Sequence, residues 1–77
     1  LNMIIYVLIQ TQAGRVGDVL NRVKALKGVV EAHSVTGEYD IICKIETQDL
    51  EEVRRIVVEG IHKIEGVVRT VTLIAVE

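Results

Sequence analysis

A chain of 77 residues with a formal net charge of −2 and one cysteine is a single small domain that no internal disulfide can brace. Its slightly acidic balance argues against the basic surface that electrostatic nucleic-acid binding needs, and no apolar run reaches the ~20 residues that span a bilayer. Hydrophobic residues make up 49% and proline is absent, which argues against a disordered chain.

A domain this small buries only about 60% of the surface its unfolded chain exposes. It usually gains stability from disulfides, a metal or self-association. His33, His62 and Cys43 lack the spacing of a metal set, so no metal or other cofactor is expected and self-association remains. The longest apolar run, Met3 to Ile9, has neither the charged start nor the cleavage site of a signal peptide. A single cysteine fits a reducing compartment, so a cytoplasmic protein is expected.

Met3 to Ile9 is an unbroken apolar stretch rich in β-branched residues, the pattern of a strand buried on both faces. Val16, Val19, Leu20, Val23 and Leu26 then recur at helical spacing, with Gly14 opening that helix and Gly28 closing it. Val29 to Val35 reads as a second strand, Thr36 to Tyr39 as a turn, and Ile41 to Glu46 as a third strand. In that third strand Ile41, Cys43 and Ile45 share one face. Asp49 followed by Glu52 has the spacing of a capping box, which predicts a second helix from Leu50 with the stripe Leu50, Val53, Val57, Ile61 and Ile64. Gly66 ends it, and Val67 to Val76 is a long final strand.

The order is β-α-β-β-α-β, with a faint internal repeat. Leu26-Lys27-Gly28-Val29-Val30 echoes Ile64-Glu65-Gly66-Val67-Val68 at an offset of 38 residues. Two right-handed βαβ halves predict an α+β, ferredoxin-like sandwich: an antiparallel sheet with both helices on one face and the first and third strands central. The first strand is apolar on both faces and neither face of the last is clearly polar. The face without helices would therefore be a large apolar patch on a monomer. A second copy packing against it, as a homodimer, is expected.

With that topology, several elements match in order and spacing across essentially the whole chain. They are Val29-Val30, then Thr36-Gly37-Glu38-Tyr39-Asp40-Ile41-Ile42, then Gly66-Val67-Val68-Arg69-Thr70-Val71-Thr72. Together they resemble the ligand-sensing domain of the Lrp/AsnC transcription regulators, the RAM domain (regulation of amino-acid metabolism). The resemblance implies dimers built through the sheets as a dimeric α+β barrel, assembling into an octamer or larger ring. It also implies small effectors, typically amino acids, bound between dimers near the G-x-Y-D turn and the final strand. Carried onto this sequence, the ligand-binding candidates are Gly37, Glu38, Tyr39, Asp40, Thr70 and Thr72. Family regulators place a helix-turn-helix domain before this one, whereas this sequence starts at the first RAM strand. It therefore resembles the stand-alone members, which implies no direct nucleic-acid contact and action on full-length regulators through mixed oligomers.

Each candidate also has a plain structural explanation. Gly37 supplies the positive φ that a hairpin turn needs, and a bare backbone there would also let N–H groups reach a carboxylate. Asp40 either caps N–H groups in its own turn or pairs with the ammonium of an amino acid. Tyr39 is a packed ring with a wet hydroxyl or a pocket wall. Thr70 and Thr72, on one face of the last strand, reflect β-propensity or hydroxyls meeting a polar head group. Glu38 occupies the variable position of the turn, as a solvated residue or a tuner of selectivity.

Nothing points to catalysis. His33 and His62 show no positioned nucleophile or carboxylate partner, and Cys43 lies between Ile41 and Ile45 on a core face. Glu51, Glu52, Arg54 and Arg55 form a solvated helix face with ion pairs. Three alternatives stand beside effector sensing: a purely structural oligomerisation module, an ACT-like amino-acid-binding domain of the same topology, and a small enzyme. The last lacks a nucleophile–base pair, a metal set and a phosphate loop. Heavy-metal carriers need paired cysteines, and RNA-recognition domains need sheet aromatics; phenylalanine and tryptophan are both absent.

Overall fold

The computed structural model describes residues 2–77. Four strands and two helices follow the expected order. They are β1 (Met3–Thr11), α1 (Val16–Lys24), β2 (Val29–Ser34), β3 (Ile41–Thr47), α2 (Leu50–Arg54) and β4 (Val67–Ile74). All neighbouring strands are antiparallel in the order β2-β3-β1-β4, so β1 and β3 are central. This is the ferredoxin-like arrangement that the alternation of elements predicts.

The two-residue period of the strands decides what meets the helices. Ile5, Val7 and Ile9 of β1 pair with Ile45, Cys43 and Ile41 of β3, and all six are buried. Val19 and Val23 of α1, with Val53, Ile56, Val57 and Ile61, close the core over them. Burial pushes the Cys43 thiol up to about 11, so this group is a small apolar filler that stays protonated. The opposite sheet face carries Ile4, Tyr6 and Leu8, with Leu73 and Val71 of β4 opposite Tyr6 and Leu8 and Glu46, Lys44 and Ile42 of β3 on the other flank. Tyr6 is 36% and Leu73 47% exposed, so within one chain β1 is buried on one face rather than two. Among the described residues no element covers the second. No helix among the described residues is long and apolar enough to cross a membrane.

Four local expectations are corrected. β1 runs on to Thr11, because Gln10 and Thr11 keep pairing with β4. β4 stops at Ile74, although Ala75 still donates its N–H to Ile4 at 2.9 Å. The capping box is half made: the Asp49 carboxylate accepts from the Glu51 N–H at 2.9 Å, but Glu52 turns to Arg55 at 3.9 Å. The Thr47 hydroxyl takes the Asp49 N–H instead, at 3.1 Å. Finally, Leu50 is 57% exposed rather than part of the buried stripe. After α2 the chain continues as a π-helical turn (Arg55–Gly60) and a 3-10 turn (Ile61–Lys63). The wider turn advances less per residue, which keeps Val53, Val57 and Ile61, four apart, on the sheet.

The internal repeat is a repeated turn. Val29 donates to the Leu26 carbonyl and Val67 to the Ile64 carbonyl, both at 3.2 Å, and the glycines between them have φ +101° and +103°. Gly17 is a different case, an exposed helical residue with open space where a Cβ would stand. Gly17→Ala should raise stability by about 0.5 kcal/mol, read as a gain of about 2–4 °C in thermal denaturation.

Candidate functional site

The turn between β2 and β3 is closed by a 2.8 Å hydrogen bond from the Val35 N–H to the Asp40 carbonyl. Gly37 has φ +123° with open space around it, so the turn does require positive φ there. Asp40 caps neither its own turn nor an empty cavity. Its N–H donates to the Ile9 carbonyl at 2.9 Å, and Oδ2 accepts from the Thr11 N–H at 2.8 Å and the Thr11 hydroxyl at 3.2 Å. Thr11 is buried, so its N–H needs a partner. The carboxylate supplies one and pins the turn to the end of β1.

That pin sets the neighbours of Tyr39. Its hydroxyl accepts from Arg69 Nη2 at 2.9 Å, and the guanidinium carbon stands 5.6 Å from the ring centroid, a cation–π distance. Arg69 is the ladder partner of Gln10. These residues and Glu38 line an open cavity of about 380 Å³. Among the described residues neither Arg69 nor Glu38 forms an ion pair within 4.0 Å. Among the described residues, Arg69 and Glu38 thus border one cavity with no ion pair of their own.

The six sequence candidates do not converge. Glu38 and Tyr39 line this cavity, while Gly37 and Asp40 shape the turn behind it. Thr70 and Thr72 do share a face, but they pair with Ile9 and Val7 and so lie on the helix side of the sheet. Arg69 and Gln10 pair on the other side. The Thr70 hydroxyl is 2.8 Å from His62 Nε2, and Thr70 joins His62, Val67, Val68 and Arg69 around a second cavity of about 410 Å³. Thr72 lines neither. A register shift beside Gln10 and Thr11 lets Arg69 border both cavities. Sequence reasoning passed over Arg69 and Gln10, although Arg69 is the only charged residue between Val67 and Val76.

Several other ionisable groups are engaged with one another. His33 Nε2 lies 2.8 Å from Glu31, a carboxylate partner that sequence reasoning missed, and this contact lowers the Glu31 pKa. Arg54 binds Glu51 at 2.9 Å and Glu59 at 3.3 Å. A further cavity, of about 450 Å³, lies between Leu26 and Ile56. Its two carboxylates, Glu52 and Glu59, are both held by arginines. Among the described residues no three His, Cys, Asp or Glu side chains are grouped to hold a metal.

The profile described as "Lrp/AsnC ligand binding domain" matches residues 4–77. An HTH-type transcriptional regulator of Pyrococcus furiosus is 40% identical over 58 residues, covering 75% of this chain and 39% of that protein. The regulator FL11 of the same organism is 32% identical over 76 residues, 99% of this chain and 50% of its own length. The chain thus spans half or less of the length of these curated relatives. Among solved structures, that of TTHA0845 from Thermus thermophilus superposes with a TM-score of 0.93 at 37% identity, covering 97% of this chain and 94% of that one.

Proposed function

Because the chain belongs to the Lrp/AsnC ligand-binding domain family, we propose that it is a non-enzymatic module that senses a small amino-acid effector and assembles with copies of itself. The observation that carries this reading is the cavity of Gln10, Glu38, Tyr39 and Arg69. It offers one unpaired cation and one unpaired anion, the complement of a zwitterion. Gly37 and Asp40 serve it by shaping and holding the turn. Thr70 and Thr72, on the other side of β4, would meet ligand only through a separate contact.

Assembly follows from the uncovered sheet face. Ile4, Tyr6, Leu8, Val71 and Leu73 form an apolar surface of the kind that a second copy buries. Gln10 and Arg69 lie on this same face, so the cavity would border the dimer contact, and further dimers would add at the turn to give an octamer or larger ring. Mixed oligomers with full-length regulators would carry the signal to DNA that this domain does not itself touch. The setting is the cytoplasm, where amino-acid pools are read.

Thermal denaturation and solution mass, measured with each of the twenty amino acids, test the reading. An effector at a hundredfold excess over its Kd adds about 2.7 kcal/mol, on the order of 10 °C in a domain of this size, and alters the mass distribution. Stability and mass that respond to none of the twenty would overturn sensing. They would favour a structural module, which the engagement of Asp40 with Thr11 also suits.

A further inference from the structure

We infer that the His33–Glu31 pair makes the sheet-to-sheet dimer sensitive to pH: protonation of the imidazole tightens the dimer, and loss of that proton loosens it. The inference rests on the dimer proposed above, and it adds a signal, the proton, that acts on the interface without any effector.

The two-residue period of β2 places Glu31 and His33 on one face, across the ladder from Lys44 and Ile42 of β3. Lys44 and Ile42 in turn stand opposite Tyr6 and Leu8 of β1, so all of them lie on the uncovered side of the sheet. Glu31, His33, Ile42, Lys44 and Tyr6 line a small cavity there, of about 170 Å³. A second copy packed on this face would close that cavity over the pair. The helix α1 packs against β2 from the opposite side, where Ala32 is buried.

His33 Nε2 lies 2.8 Å from a Glu31 carboxylate oxygen. An ionised carboxylate only accepts, so Nε2 carries the proton of the neutral ring. A second proton then adds at Nδ1 and leaves the contact intact. Protonation changes the charge of the pair, not its geometry. The hydrogen bond from His33 also holds the Glu31 carboxyl below its ordinary range. Glu31 is therefore a carboxylate throughout the span of about pH 5–8 in which an imidazole changes charge.

The other charged groups that face the pair come from β3. Lys44 is the ladder partner of Glu31 and stands 4.0 Å from Glu46, while β1 contributes the neutral phenol of Tyr6. Arg69 shares the face but lies on β4, with β3 and β1 between it and β2. With a neutral imidazole, two carboxylates accompany one ammonium, and a negative charge is in excess. An imidazolium cancels it.

In a single chain this difference is small, because both side chains of the pair are more than half exposed and water screens them. Under a second copy that water is removed. A carboxylate without a counter-charge then becomes costly, whereas a paired one costs less. Each protomer thus holds its added proton more tightly in the dimer. By linkage, dimerisation is favoured at low pH, and the gain is lost as pH rises through the imidazole range.

Sedimentation of a dilution series tests this at about pH 5.5 and about pH 8, at constant ionic strength, in fixed sub-denaturing urea and without amino acids. The wild type should dimerise about tenfold more tightly at the lower pH, roughly a factor of three from each protomer, the scale of a partly exposed ion pair. His33→Gln should reduce that ratio to within about twofold. Glu31→Gln should bring it to about one or below, since the imidazolium then lacks its carboxylate, and should tighten the dimer at the higher pH. His62→Gln alters the histidine beside Thr70, on the helix side of the sheet, and should keep the full ratio. A wild-type dimer that ignores pH or weakens on acidification overturns the inference and leaves the dimer standing, as does an undiminished ratio in His33→Gln. Leu73→Glu puts a charge at an exposed site on the same face and should give monomers at both pH values. A dimer that survives it unchanged, or a wild type that is monomeric throughout, overturns the sheet-to-sheet dimer and the inference with it.

Discussion

Gly66→Ala should destabilise the chain by about 3 kcal/mol, combining a left-handed backbone penalty with overpacking of a filled site. Gly66 is buried and sits at φ +103°, where a Cβ would stand 3.0 Å from Val19 Cγ2 and 3.2 Å from Arg15 Cβ. Neither atom is the free end of a long side chain. Val19 is fully buried and β-branched, so its χ1 has no easy alternative. The backbone cannot retreat cheaply either, because the Gly66 carbonyl accepts from the Gln12 N–H at 2.8 Å. The expected fall in melting temperature is on the order of 15 °C. Gly37→Ala supplies the control: φ is +123° there, but nothing lies within 4 Å of the new Cβ, so only the conformational cost of about 1 kcal/mol applies. Equal losses in the two variants would refute the packing argument.

The second large effect is expected at Asp40. Replacement by alanine removes the acceptor of the Thr11 N–H and leaves that buried donor without a partner, at a cost of about 2–3 kcal/mol. Asp40→Asn keeps a neutral oxygen in the same place and should cost about half as much. Thr11→Val removes only the 3.2 Å hydroxyl contact and should cost least. Chemical denaturation of the three variants gives the ranking, and an Asp40→Ala variant as stable as wild type would show that the turn is held by other means. The series also separates structure from sensing. If Asp40 acts by holding Tyr39 and Glu38 in place, Asp40→Asn retains ligand response in proportion to its stability. A stable variant with no ligand response would put the carboxylate on the ligand itself.

The order of elements was legible because periodicity is a local property. The alternation in Ile41 to Ile45 and the four-residue steps of Val53, Val57 and Ile61 arise within single segments, and each segment must present one apolar face to the core. The repeat around Gly28 and Gly66 was legible for the same reason, since each glycine sits in a four-residue turn. The resemblance in the Thr36–Asp40 turn located the segment in which Glu38 and Tyr39 line a cavity. Local pattern was less informative wherever a residue's role depended on a distant partner. Asp40 reads as a cap in its own turn, but its acceptor bonds come from Thr11, 29 positions away. Arg69 reads as an ordinary strand residue, but it meets Tyr39 across 30 positions. The π-helical turn depends on how a four-residue step must settle against the sheet.

By itself the sequence determined the α+β order, the buried faces of β3 and α1, and the turn that shapes the candidate site. Only the tertiary structure decided which side of the sheet each set occupies, and therefore that Thr70 and Thr72 face the helices while Arg69 joins Glu38 and Tyr39. The physical reason is that a period of two shows which residues share a face, whereas the register and bulge between β1 and β4 decide what lies opposite them.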